Sequence, residues 1–139
     1  ARKAKAARGS KYVVRKTMQE TYAARTMRWG GVILLTFLIF HLLQFTAQVI
    51  TTGWNSGAGP YDMFVASFQQ WWLVLAYALW MVTVCLHVRH GFWSAFATLG
   101  ANTSAGARRI WNGIAYFIAV LLYVGFMIAP VAVLFGLVK

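Results

Sequence analysis

Three stretches without a single charged residue dominate the chain, at positions 29–60, 63–88 and 110–138. Each holds at least the roughly 20 apolar residues that a helix needs to cross about 30 Å of hydrocarbon. Only helices or closed barrels satisfy their backbone in lipid. The expected fold is therefore all-α and integral to a membrane. Transmembrane helices are expected over 29–52, over 63–94 with a cytoplasmic extension, and over 111–138, joined by an outside loop at 53–62 and a cytoplasmic loop at 95–110.

The punctuation fits antiparallel helices. Gly-Ala-Gly-Pro at 57–60 breaks the chain, and Asp62 stands where an N-cap would open the second helix. The second loop, about 100–109, holds Gly, Asn, Thr and Ser, all turn formers, and Asn112 is placed to help begin the third helix. Gly125 and Pro130 suggest a local bend within it. Before the first span, Val14, Met18 and Tyr22 recur at helical spacing, so residues from about Lys11 onward are expected to continue into it as one helix.

Composition sharpens the class. Of 139 residues, 60% are hydrophobic and only 11% charged, against about a quarter charged in soluble domains. Cys85 is the only cysteine, so no disulfide framework exists within the chain. The first residue is Ala rather than Met, and further sequence upstream is expected.

Charge orients the spans. Nine of the thirteen basic residues precede residue 29, and Arg89, Arg108 and Arg109 bracket the second loop; the first loop carries only Asp62. The positive-inside rule puts residues 1–28 and the second loop in the cytoplasm, and the C-terminus outside. Trp29, Trp54, Trp71, Trp72, Trp93 and Trp111 lie near the expected interfaces, where amphipathic rings collect. The net charge of +11 brings no nucleic-acid recognition element with it. A basic head beside a span instead suits anionic lipid headgroups or an acidic soluble subunit.

Candidate chemistry centres on His41, in the middle of WGGVILLTFLIFHLLQFTAQVI. An imidazole in hydrocarbon is costly unless bonded, so it marks a functional position or, more plainly, a polar contact between helices. The other histidines, His87 and His90, end the second stretch. His41 lies 13 residues beyond Arg28, about 20 Å from the cytoplasmic edge; His87 lies about 3–10 Å from it. Two axial ligands of one iron must share a depth. The reading is therefore two haems, each with its second ligand outside this chain. Phe37, Phe45, Gln44 and Gln48 share the His41 face, with flat walls for a porphyrin and amides for propionates or helix contacts. Near His87, Gly91 leaves room for a porphyrin, Thr83 lies one turn before, and Arg89 and His90 are candidates to meet propionates.

The segments YAARTMRWGGVILLTFLIFHLL, YDMFVASFQQWW and LHVRHGFWSAFATLG resemble the cytochrome b membrane-anchor subunit of succinate dehydrogenase, in its actinobacterial-type b558 group. The resemblance runs from about Tyr12 to the C-terminus and covers the last three of that subunit's five helices. It implies His41 as ligand of the haem distal from the cytoplasmic subunits and His87 as ligand of the proximal one. It also implies flavoprotein and iron–sulfur subunits as partners, the remaining anchor helices as neighbours, and delivery of electrons to menaquinone in the plasma membrane. The chain itself would not touch succinate. Arg28, Trp29, Arg89 and Ser94 lie at a depth suited to a quinone site, although interface anchoring explains them equally well. No carboxylate lies within a span, so proton uptake is expected at the surface, through water or His90.

Two alternatives stay open. Cys85 precedes His87 by two residues, a spacing also found in Rieske-type [2Fe–2S] ligand pairs. On a regular helix, however, such positions point about 200° apart, and a buried free cysteine is commonly a small hydrophobe. The second alternative is a non-redox membrane protein whose histidines serve only in packing.

Overall fold

The computed structural model describes residues 22–139. The basic head, with the helix expected from Lys11 onward, lies outside the described residues. A long helix α1 (Tyr22–His41) runs directly into a π turn (Leu42–Thr46). The chain then reverses irregularly over 47–59 into a short helix α2 (Pro60–Phe68), followed by two long helices, α3 (Trp71–Thr98) and α4 (Ala105–Leu134). Among the described residues there is no strand. Three stretches, Met27–Thr46, Trp71–Thr98 and Ala105–Leu134, are long and apolar enough to cross a membrane.

Helix α3 is the spine. It packs along α4 on one side and α1 on the other, while α2 lies against α3 and α4 at the end of the bundle that carries Asp62. Small residues permit the α3–α4 approach: Ala115 and Ala119 of α4 are buried, as is Cys85 of α3. Without a hydrophobic drive between helices in lipid, close backbone approach through such residues is what holds a pair together. Outward-facing Val32, Ile33, Leu35, Leu38 and Ile39 leave α1 with an apolar face that the described residues do not cover.

Helix boundaries depart from the hydropathy reading for local reasons. The second apolar stretch is two helices rather than one, because the chain breaks at Gln69 and Gln70, and Gln70 is the extended residue before α3. Asp62 is not the N-cap of α2. That position belongs to Gly59, with Pro60 in the first turn, where its missing N–H and fixed φ cost nothing. Asp62 instead sits in the first turn, where its charge meets the positive end of the helix dipole.

Helix α3 continues to Thr98 and is closed by a Schellman turn: Gly100 at φ 75° lets Ala101 N–H reach Phe96 O at 2.9 Å. Helix α4 begins at Ala105 because Ser104 caps it, its Oγ accepting from Ala107 N–H at 3.0 Å. Asn112, expected at the start of this helix, therefore lies inside it. Pro130 is also internal, and α4 runs past it to Leu134.

Candidate functional site

Because α1 and α4 pack on α3 rather than on each other, they leave a cavity of about 510 Å³ between them. Phe37, His41 and Phe45 line it from the first span, Tyr77 and Met81 from α3, and Phe126 and Met127 from α4. Phe64 and Phe68 of α2 also line it. The volume falls within the range of about 300–1,000 Å³ common to ligand pockets. The lining is nearly all apolar and rich in flat rings. Phe37 lies 5.8 Å and Phe45 5.4 Å from the His41 ring, and Phe37 and Phe68 meet Tyr77 edge-on at 5.2 and 4.9 Å.

The π turn directly after His41 fixes what lies behind the ring. Ala47 N–H reaches back five residues to Leu42 O at 2.8 Å, and this wider turn re-aims the residues within it. Gln44 is thereby turned inward and fully buried. Its Nε2 donates to Thr52 Oγ1 at 2.8 Å and Ser67 Oγ at 3.2 Å, and its Oε1 accepts from Tyr77 OH at 2.7 Å. Thr52 and Ser67 hydroxyls meet at 2.7 Å, and Trp54 Nε1 donates to Ser67 Oγ at 3.2 Å. His41 Nδ1 joins the chain at Tyr77 OH, 3.3 Å away. One amide thus ties the first span, the reversal, α2 and α3 together; leaving any of these buried groups unpaired costs about 1–3 kcal/mol.

Sequence reading identified His41 and Gln44 and assigned Gln44 either propionates or helix contacts; it is wholly committed to the latter. Gln48 is held apart from the cavity, its Oε1 accepting from Gly57 N–H at 3.1 Å. Tyr77, Ser67, Thr52 and Trp54 were missed. Trp54 is buried against Ser67 rather than standing at an interface, whereas Trp29, Trp71 and Trp72 are exposed. The available signal was the set of hydroxyls in otherwise apolar surroundings, which require partners when buried.

The second histidine occupies a different level. His87 packs against α1 at Gly30, where a Cβ would lie 3.9 Å from its Nδ1. That nitrogen is buried without a hydrogen-bond partner among the described residues. A Cβ on Gly91 would meet nothing, so the face one turn further on is open. Two independent rulers give the separation of the imidazoles. Gly30 to His41 along α1 is eleven residues, about 16 Å, and Tyr77 to His87 along α3 is ten, about 15 Å. The rings therefore lie at different depths and do not share a metal.

The residues around His87 point elsewhere. Arg89 Nη2 donates to Asn112 Oδ1 at 2.8 Å, and its guanidinium lies 4.2 Å from the Tyr116 ring centroid, so it clamps α3 to α4 instead of facing the His87 ring. Cys85 is also turned to α4, in a shallow groove with Ala119 and Tyr123. Cys85 and His87, weighed as an iron–sulfur pair, thus face different helices and do not converge. Among the described residues no group of three or more His, Cys, Asp or Glu side chains is placed to hold a metal ion. His90 is half-buried on α3, Arg28 and Trp29 are exposed on α1, and Ser94 is half-buried one turn before Thr98, whose hydroxyl donates to its carbonyl at 3.0 Å. Arg28, Trp29 and Ser94 do not line the cavity at His41.

Comparison with protein families, curated proteins and solved structures finds no match to this chain.

Proposed function

We propose that the chain is a membrane-anchor subunit of succinate:quinone oxidoreductase, holding b-type haem between its helices and passing electrons toward menaquinone. The observation that carries this reading is the His41 ring itself. It stands five residues before the end of the first span, on the wall of a 510 Å³ aromatic cavity, with Nδ1 engaged by Tyr77 and Nε2 in no hydrogen bond among the described residues. An oriented imidazole with one nitrogen uncommitted fits an axial ligand, whose other nitrogen is characteristically held by a neighbour. His87, with a buried unpartnered nitrogen and open space beside Gly91, is the ligand position at the other depth. A haem held at either position would need its second ligand from outside this chain. A haem bound there supplies one-electron carriage, tuned by its ligands and their hydrogen bonds.

In this reading the end bearing Arg28, Arg108 and Arg109 faces the cytoplasm. It docks the iron–sulfur subunit, behind which the flavoprotein oxidises succinate. Arg28, Trp29 and Ser94 remain quinone candidates by depth alone. The resemblance in the RTMRW-G, mid-span His and H-x-x-x-G-x-W-S segments supports the assignment. An optical difference spectrum of the purified complex tests it. Two b-type components are expected, one lost in His41→Ala and the other in His87→Ala; absence of b-type absorbance overturns the reading.

The bond from His41 to Tyr77 on a neighbouring helix also suits a second reading, a non-redox membrane protein in which His41 is a polar contact in the bundle. That reading leaves the aromatic cavity and the uncommitted nitrogen without a role. The same spectrum separates the two.

A further inference from the structure

The hydrogen-bond chain behind His41 runs from Trp54 through Ser67, Thr52 and Gln44 to Tyr77. Ser67 Oγ receives Trp54 Nε1–H and one hydrogen of the Gln44 amide, which fills its two lone pairs, so its own hydrogen goes to Thr52. The other Gln44 amide hydrogen goes to Thr52 Oγ1. This leaves Gln44 Oε1 to accept from Tyr77 OH at 2.7 Å. The Tyr77 hydrogen is therefore spent on Gln44, and Tyr77 can only accept from His41.

We infer that Gln44, acting through Tyr77, is a positioning residue that locks His41 as the Nδ1–H tautomer and keeps Nε2 as a bare lone pair on the wall of the cavity. The direction is set from the far end: Trp54, Ser67 and Thr52 orient the amide, the amide orients the phenol, and the phenol selects the tautomer. The site is thereby prepared for an electron-pair acceptor, a metal centre carried by a flat apolar ligand, before that ligand arrives. This deepens the haem reading and rests on it for the identity of the ligand, but the tautomer itself does not.

The test is nitrogen-15 solid-state NMR on the full chain, histidine-labelled, reconstituted in lipid bilayers from cells deprived of haem precursor. His41 is expected to show a protonated Nδ1 and an unprotonated Nε2. In Gln44→Leu the phenol hydrogen is released to His41, and the ring is expected to change to Nε2–H. Haem affinity is then expected to fall by about 10- to 100-fold, the usual cost of losing a partner behind a metal ligand. A wild-type His41 protonated on Nε2 overturns the inference, and this measurement does not depend on the variant folding. An unchanged tautomer in a folded Gln44→Leu overturns it too. Failure of the haem reading looks different: the expected tautomer would be found in a chain that takes up no haem.

Discussion

A Cβ placed on Gly30 of α1 would lie 3.9 Å from Nδ1 of His87 on α3. The two helices touch there because one residue has no side chain and the other has a flat ring. Alanine fits at that distance in ordinary contact, whereas a longer side chain must displace the imidazole. Gly30→Ala is expected to be silent. Gly30→Leu is expected to cost about 1–3 kcal/mol by overpacking and, if the proposed haem reading holds, to perturb the absorbance assigned to His87 while leaving that assigned to His41 intact. Thermal unfolding in detergent and the difference spectrum of the complex read the two effects.

Ser67 serves two donors, Trp54 Nε1 and Gln44 Nε2, and meets the Thr52 hydroxyl. Ser67→Ala strands buried groups and is expected to destabilise by about 1–3 kcal/mol. Trp54→Phe removes one of the stranded donors, so the double variant is expected to lose less than the sum of the singles. Denaturation of the four proteins of this cycle measures the difference, and strict additivity would contradict the network.

Arg89 holds Asn112 and lies over Tyr116 at the opposite end of the bundle. Lysine keeps the charge but loses the planar fork and its stacking. Arg89→Lys is expected to cost about 0.5–2 kcal/mol, the range of a cation–π contact as it becomes desolvated. Tyr116→Leu is expected to show a loss of similar size, and the two together little more than either alone. A Tyr116→Leu protein as stable as wild type would remove the contact from consideration.

Asp62 lies exposed in the first turn of α2 and lines no cavity described for the site. If the proposed function holds, Asp62→Asn is expected to leave succinate-driven quinone reduction by the complex unchanged. A large loss of turnover would mean that protons reach the quinone through this acid rather than at the basic end.

Hydropathy revealed the three long helices because lipid demands continuous apolar length, a property that needs no knowledge of neighbours. It also placed His41 and His87 at different depths, since rise per residue converts position into height. It did not reveal which way side chains face. A helix surrounded by lipid has no polar side to betray its orientation, so the inward turn of Gln44 and its meeting with Ser67 were invisible. Gln69 and Gln70 were read as part of one span because two uncharged amides scarcely dent a hydropathy average. The early start of α4 was more accessible: Ser104 before Ala105 is a capping signal, overlooked in favour of Asn112.

The π turn at Leu42–Thr46 gives chain length a role separate from side-chain identity. On a regular helix each residue turns the chain by about 100°. Deleting a single residue between His41 and Gln44 would therefore swing the amide well away from Tyr77 even with every named side chain retained. At this point the chain is a count as much as a composition. A one-residue deletion there is expected to do more harm than any single substitution among the leucines of the turn.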